Sequence, residues 1–420
     1  GKMVLVVTKD KKVIQGAFRG DFKRFETNQE RLEYLPDAAQ PFDSNNIYIT
    51  TYNRLHEARQ HQWDIVIFDE AHAAKNLINS NPSAQAQHVV ELMDKAEKVV
   101  CATATPADKG FQMAYLCRMW GIDPYMMVQR MGLEFDPTFG WQSNEGLDKE
   151  IQAGIEANIM QDFMREATKK GLMVKREVSM ANLDYINQQV ELSPDWRGMY
   201  EALNQHYKQL YEMAKGIAKG TIKGQWMLNV RRLLDIAKAE AAGFAALDEL
   251  KAGRKVVVFS CAVEDTQDIA EQVQSERASM YEMTDEEIDE SINKLRGKAT
   301  TGRVSDMIQQ AGYRVFEMTG KRTDKQRNAA VAQFQAGELD AIVTTFDSGG
   351  TGINLDDTVG DSPRSIVITQ PPFGANEVIQ GLGRVNRLTT KSRAKAIQLM
   401  TNLAIDDWNQ SLVATKLQRL

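Results

Sequence analysis

The sequence predicts an α/β protein built from two doubly wound parallel sheets joined by a mainly helical segment. Three observations predict this class. Short apolar runs rich in valine and isoleucine alternate with helix-length stretches in residues 1–125, and the same alternation returns in residues 225–420. Strands covered on both faces of a parallel sheet read as such continuous runs, and the crossovers between them need helices. Between these parts, residues 126–224 are rich in aromatic side chains and methionine, with helical spacing and few strand-like runs. The chain has 420 residues and 43% hydrophobic content, enough for two or three cores.

In the first part, Met3 to Val7 is a strand ending at Thr8, followed by the basic turn Lys9-Asp10-Lys11-Lys12 and an amphipathic stretch through Phe18, Phe22 and Phe25. A basic loop at the carboxyl edge of a parallel sheet suits a nucleic-acid backbone; the plainer alternative is a solvated turn. Ile47 to Ile49 is a second strand, ending in the hydroxyl-bearing Thr50-Thr51-Tyr52. The sharpest stretch follows, where Asp64-Ile65-Val66-Ile67-Phe68 runs into Asp69-Glu70-Ala71-His72. Ligands of parallel sheets gather at the carboxyl ends of strands, which is where Asp69 and Glu70 fall. In nucleotide hydrolases of this plan the first carboxylate holds Mg²⁺ and the second orients or deprotonates the attacking water. The plainer alternative is a strand followed by a solvated acidic turn. A helix near Ala84 to Met93 and a strand from Lys98 to Cys101, running into Ala102-Thr103-Ala104-Thr105-Pro106, complete the first domain.

In the middle segment, Ser193 and Pro194 suit the N-cap and first position of a helix burying Trp196, Met199, Tyr200, Leu203, Tyr207 and Leu210. Lys169, Lys170, Lys175, Arg176, Arg231 and Arg232 are candidates for a nucleic-acid groove, against the commoner solvated helix face. A long helix from about residue 225 leads to a second strand series at Lys255 to Ser260, Tyr313 to Met318, Leu339 to Thr344, Ser365 to Thr369 and Ala396 to Met400.

Several classes are excluded or disfavoured. No apolar run approaches the roughly 20 residues of a membrane helix, and the N-terminus has no signal-peptide pattern. Cys101, Cys117 and Cys261 lack paired spacing for zinc or disulfides, which predicts a reducing compartment: the cytoplasm, or the nucleus in a eukaryote. The formal net charge of −6 argues weakly against a nucleic-acid partner, yet residues 1–24 carry seven basic side chains against two acidic, a local +5. Residues 276–290 reverse this with seven acidic against one basic, and Thr284 with Glu287 there suits a capping box on a solvated acidic helix.

Two further segments carry chemistry. Thr344-Thr345-Phe346-Asp347-Ser348-Gly349-Gly350-Thr351-Gly352-Ile353-Asn354-Leu355 is a strand end followed by a glycine-rich loop, where backbone amides can approach phosphate. Gln380-Gly381-Leu382-Gly383-Arg384-Val385-Asn386-Arg387 places two arginines three apart, expected on one helical face and able to stabilise charge on a transferring phosphoryl group.

Taken together, these residues resemble the superfamily-two helicase-like ATPases, most nearly the Swi/Snf-type translocases and their strawberry-notch-like relatives. Thr8 with its basic loop is similar to motif Ia, Thr50 to Tyr52 to motif Ib, Asp69 to His72 to motif II and Thr103 to Pro106 to motif III. Val256 to Ser260 is similar to motif IV, Gly349 to Leu355 to motif V and Gln380 to Arg387 to motif VI. The resemblance implies two RecA-like lobes that clamp ATP and Mg²⁺ and track along a nucleic acid, DNA more than RNA. It implies that Asp69 holds the metal, that Glu70 activates water, and that His72, Thr103 and Thr105 couple nucleotide state to the other lobe. Gln380, Arg384 and Arg387 would read the γ-phosphate, with Gly350, Gly352 and His72 also at the nucleotide. Thr8, Lys9, Lys11, Lys12, Thr50, Thr51, Ser260, Thr344 and Thr345 would contact the nucleic acid, on a face away from Asp69.

The sequence departs from the family in having no phosphate-binding P-loop before the first motif. Gly1-Lys2 runs directly into a strand, and Gly320-Lys321-Arg322-Thr323 lacks the preceding glycine spacing. Asn386 stands where the Swi/Snf branch often has histidine. With the P-loop strand placed beside the motif II strand, Asp64 to Phe68 is expected to be bare on one side, so that an upstream segment or a second chain supplies the missing loop. Two rival readings are a nucleotide-inactive scaffold of the same fold and the motor part of a restriction or anti-restriction machine; no nuclease or methyltransferase motif supports the latter.

Overall fold

The computed structural model describes residues 2–9, 32–35, 47–78, 83–103, 106–107, 109–136, 140–143, 149–174, 182–261, 267–276, 280, 284–349, 353–372, 375–387, 389–407 and 410–411. The chain divides into two compact units, Gly1–Glu177 and Val178–Val413. The expected helical segment 126–224 is therefore shared between them instead of standing apart.

In the first unit, strands β1 (Val4–Thr8), β2 (Leu32–Tyr34), β3 (Ile47–Thr51), β4 (Ile65–Asp69) and β5 (Lys98–Ala102) form a parallel sheet in the order β2-β3-β1-β4-β5. Alternate residues Leu5, Val7, Tyr48, Val66 and Phe68 pack into one core with Val89 and Leu92 of helix α1 (Ala84–Lys95). Ser83 starts that helix, its hydroxyl accepting from the Ala86 amide at 3.2 Å. Helix α2 (Lys149–Lys169) adds Met160 and Met164 to the same core, which is why the first unit extends well past residue 125. An antiparallel hairpin of β6 (Leu133–Asp136) and β7 (Gly140–Ser143) lies here too, and the Trp141 indole donates to the Ile78 carbonyl at 2.7 Å. The sequence reading missed this hairpin because its strands are short and carry no apolar run.

The pairing of β4 corrects one expectation. Its neighbours are β1, with Val66 opposite Leu5, and β5, with Val66 opposite Val99, so both of its sides are bonded. The apolar run of β1 places that strand inside the sheet, beside β4. Among the described residues β5 pairs with β4 alone, and its Lys98, Val100 and Ala102 side chains are exposed, Val100 by 49%.

The second unit is a six-stranded parallel sheet in the order β10-β11-β9-β12-β13-β8. Its strands are β8 (Leu183–Gln189), β9 (Lys255–Ser260), β10 (Val315–Met318), β11 (Ala341–Thr345), β12 (Arg364–Ile368) and β13 (Ala394–Met400). Helix α3 (Pro194–Met213) buries Met199, Leu203 and Tyr207, with Trp196, Tyr200 and Leu210 packed partly against the same core. Helices α4 (Ile217–Ala237) and α5 (Ala239–Lys251) meet at Lys238, a fully buried cation. Its ammonium reaches Asp406 at 2.7 Å, the Gln370 amide oxygen at 2.5 Å and the Leu399 carbonyl at 3.1 Å. Burial lowers the Lys238 pKa, and the contact with Asp406 opposes that shift. The capping box appears as expected on α6 (Asp285–Leu295), where Thr284 and Glu287 bond each other's backbone.

Candidate active site

In the first unit the chemistry-bearing residues meet at the carboxyl edge of the sheet. β4 ends at Asp69, and the Thr8 hydroxyl from the end of β1 donates to its Oδ2 at 3.0 Å. The Tyr52 hydroxyl donates to the Asp69 carbonyl at 3.0 Å, fixing the strand end from the β3 side. Burial raises the Asp69 pKa, and the neighbouring Glu70 adds to this against the Thr8 hydrogen bond. A partly buried carboxylate of raised pKa gains most from a cation.

Glu70 has φ 55° and ψ 47°, and among the described residues it is the one non-glycine residue with positive φ. That left-handed conformation costs about 1 kcal/mol or more for a side chain of this kind, a strain characteristic of functional turns. It ends the strand sharply and starts the turn Ala71–Ala74. There, His72 Nδ1 lies 3.2 Å from Glu70 Oε2 and 3.2 Å from Thr103 Oγ1 at the end of β5. Asp69, Glu70, His72 and Thr103 thus form one connected group; Thr105 lies outside the described residues.

The hydroxyl groups expected to face a nucleic acid are turned inward, which corrects that assignment. Thr8, Thr50, Ser260 and Thr344 are fully buried, and Thr51 and Thr345 nearly so. Thr8 bonds Asp69 directly, so it does not lie on a face away from the carboxylates. Ser260 donates to Asp235 at 2.6 Å, and Thr344 donates to the Met318 carbonyl at 2.7 Å. The Thr345 hydroxyl accepts from the Ser348 amide at 3.2 Å. For Thr8, Ser260, Thr344 and Thr345 the physical reason is shared: polar side chains at buried strand ends satisfy nearby backbone and carboxylate groups, whereas the buried Thr50 hydroxyl has no partner among the described residues. Lys9 is exposed, while Lys11 and Lys12 lie outside the described residues, as do Lys175 and Arg176.

In the second unit, helix α9 (Ala375–Leu382) stops before the arginines, so Arg384 and Arg387 sit on the turn beyond it and not on a helical face. They nevertheless converge. Arg384 Nη1 and Arg387 Nη2 both donate to the Ile353 carbonyl, at 3.1 and 3.3 Å, and Arg387 Nε donates to the Gly383 carbonyl at 2.9 Å. The two arginines are tied to the segment that follows the glycine-rich loop. Gly350 and Gly352 lie outside the described residues. Gly349 and Gly381 are required by packing: a Cβ on Gly349 would meet the Thr344 side chain at 2.5 Å, and one on Gly381 the Phe346 ring at 2.8 Å. Phe346 in turn stacks on Phe259 of β9 with ring centroids 4.7 Å apart. Gln380 is half-buried on the same helix.

Two family models match the chain in order. "P-loop containing NTP hydrolase pore-1" covers residues 40–202, including Asp69 and Glu70, and "Helicase conserved C-terminal domain" covers residues 297–389, including both arginines. The chain is thus similar to P-loop NTP hydrolases in its first part and to the conserved C-terminal domain of helicases in its second. It is similar to the strawberry notch protein of Drosophila melanogaster, 28% identical over 46% of the chain and 12% of that protein. It is also similar to the human strawberry notch homolog 1, 26% identical over 46% of the chain and 14% of that protein, so it matches only a small part of these relatives' length. A putative ATP-dependent RNA helicase of Acanthamoeba polyphaga mimivirus is 37% identical over 17% of the chain and 13% of its own. Among solved structures, the SWI2/SNF2 ATPase core of Sulfolobus solfataricus in complex with dsDNA is similar with a TM-score of 0.39 and 15% identity, over 98% of this chain and 80% of that one.

The sequence reading missed Tyr52 as a support of Asp69, Asp235 as the acceptor that holds Ser260, and the Ile353 carbonyl as the anchor of both arginines. Only Tyr52 left a signal, as an aromatic hydroxyl directly after a strand end. No group of three or more potential metal ligands is present among the described residues. One partly buried carboxylate with a hydroxyl beside it fits Mg²⁺, which uses one or two protein carboxylates and fills its shell with water and substrate phosphate. No described helix is long and apolar enough to cross a membrane.

Proposed function

We propose that this protein is an ATP-dependent translocase or helicase of the Swi/Snf type, with a DEAH-box-like carboxylate pair, acting on nucleic acid and on duplex DNA before RNA. The observation that carries the reading is the Asp69 group: a partly buried carboxylate held by Thr8, followed by a left-handed Glu70 in contact with His72 and, through it, Thr103. In it, Asp69 would hold Mg²⁺, which supplies charge neutralisation at the β- and γ-phosphates. Glu70 accepts the proton of the attacking water, its carboxylate held against His72 by the left-handed turn. His72, touching both Glu70 and Thr103, reports the state of that carboxylate to the end of β5. In the second unit, Arg384 and Arg387 supply positive charge for the transferring phosphoryl group, with Gln380 beside them.

The β- and γ-phosphates also need a cradle of backbone amides and a lysine. Steady-state ATP turnover of the natural full-length protein, measured with duplex DNA, single-stranded DNA and RNA at several salt concentrations, tests the reading. Strongest stimulation by duplex, falling with salt, is the expected result. Absence of turnover under all of these conditions would leave the nucleotide-inactive scaffold of the same fold as the better description.

A further inference from the structure

We propose that the second unit holds an anion site at the start of helix α7 (Thr300–Gln310), and that its ligand is a phosphate group of the nucleic-acid backbone. The nature of the ligand rests on the nucleic-acid reading above. A hollow of about 620 Å³ opens there, running along α7 and β10 and reaching the turn that follows β10.

Three independent features point to an anion. First, the N-cap position of α7 is Ala299, with no side-chain hydrogen bond to the first amides. Those amides carry the positive end of the helix dipole and need acceptors. Gly302 in the first turn lets a ligand approach the backbone, and a Cβ there would lie 3.4 Å from the Lys298 stem. Second, Ser305 lines the hollow one turn further on, only 9% exposed, and its hydroxyl has no hydrogen-bond partner among the described residues. Buried hydroxyls are rarely left unbonded, so this one lacks the acceptor that a phosphate oxygen supplies.

Third, the charges favour an anion. Four cations, Arg296, Lys298, Lys321 and Arg322, line the hollow against the two carboxylates of Asp306 and Glu317, a balance of four minus two. Both carboxylates are already engaged: Asp306 holds Lys298 at 2.6 Å, and Glu317 accepts the Thr301 hydroxyl at 2.6 Å. Arg322 lies over the Phe316 ring at 5.5 Å, and Lys321 is exposed with no ion pair among the described residues. The Gly320-Lys321-Arg322-Thr323 turn also cannot serve as a P-loop for the helix after it. Thr323 and Gln326 form a capping box on α8 (Asp324–Ala336), in which each bonds the other's backbone amide, and Lys321 lines the hollow at the start of α7.

The test uses the natural full-length protein in two arms. Inorganic phosphate is titrated while the Thr301 and Gly302 amide resonances are followed, and binding of a short DNA duplex is measured across salt concentrations. Phosphate should move both amides, and Ser305→Ala and the double variant Lys321→Ala/Arg322→Ala should each weaken that response several-fold. The double variant should also lower the slope of log affinity against log salt by about one to two. Unmoved amides overturn the site. Moved amides with an unchanged duplex affinity and slope in the double variant overturn the backbone assignment in favour of a free phosphate compound. A parent protein that binds no nucleic acid but shows the phosphate response sinks the nucleic-acid reading and keeps the anion site.

Discussion

At the scale of single residues, the account turns on side chains whose neighbours leave them one job. Thr8 is buried against Asp69, so Thr8→Val removes a hydrogen bond and leaves a carboxylate oxygen short of a donor. The expected cost is about 1–2 kcal/mol of stability, with turnover requiring more Mg²⁺ for half-maximal rate. Urea denaturation and a magnesium titration check both parts, and an unchanged magnesium requirement would separate Thr8 from the metal. Arg384→Ala and Arg387→Ala should each slow hydrolysis far more than they weaken nucleic-acid binding, because both guanidinium groups cluster at the Ile353 carbonyl beside the glycine-rich loop. A large binding defect with normal turnover per bound enzyme would reassign them to the track. Asp69 and Glu70 were legible in the sequence because an apolar run that stops at two adjacent acids sets charge at the lip of a buried strand, where parallel sheets bind ligands. The inward turn of Thr50, Thr51, Ser260, Thr344 and Thr345 was not, since a threonine at a strand end looks the same facing solvent or core.

At the scale of elements, glycine and buried charge decide the packing. Gly381→Ala would drive a methyl into the Phe346 ring, 2.8 Å away, at an expected cost of about 1–3 kcal/mol. Thermal or urea unfolding measures this, and Phe346→Leu should recover part of the loss if the ring is the obstacle. Lys238→Met leaves Asp406 buried without its cation and should cost about 3–5 kcal/mol, with partial recovery in the double variant Lys238→Met/Asp406→Leu. No recovery would mean that Gln370 and Thr401, also bonded to Asp406, are the main beneficiaries of that carboxylate. Strands with continuous apolar runs, such as β9 and β11, were legible to within a residue or two. β8 was not, because Leu183–Gln189 is an edge strand with Tyr185 and Ile186 exposed and polar residues along most of its length. The break between α4 and α5 was hidden for a different reason: a lysine at a helix junction reads as surface until tertiary contacts bury it.

At the scale of the whole molecule, two parallel sheets each bring their chemistry to the carboxyl edge, and the sequence order of the motifs made that plan readable. The strand order was not readable, because it depends on pairing that apolar runs alone do not encode. β1 took the inner place beside β4, with β5 on the other side of β4. Replacing Lys9, Lys11 and Lys12 with glutamate should weaken nucleic-acid binding and flatten its salt dependence, since loop cations that neutralise phosphates release counterions. An unchanged salt slope would place that loop off the path. If the Asp69 and Glu70 group performs ATP hydrolysis, as proposed, single-turnover hydrolysis by the Glu70→Gln variant of the natural full-length protein is slower by about a hundredfold or more, with ATP affinity nearly unchanged. The amide fills the same space and cannot accept the proton. A variant that hydrolyses ATP within a few-fold of the parent would contradict the proposal.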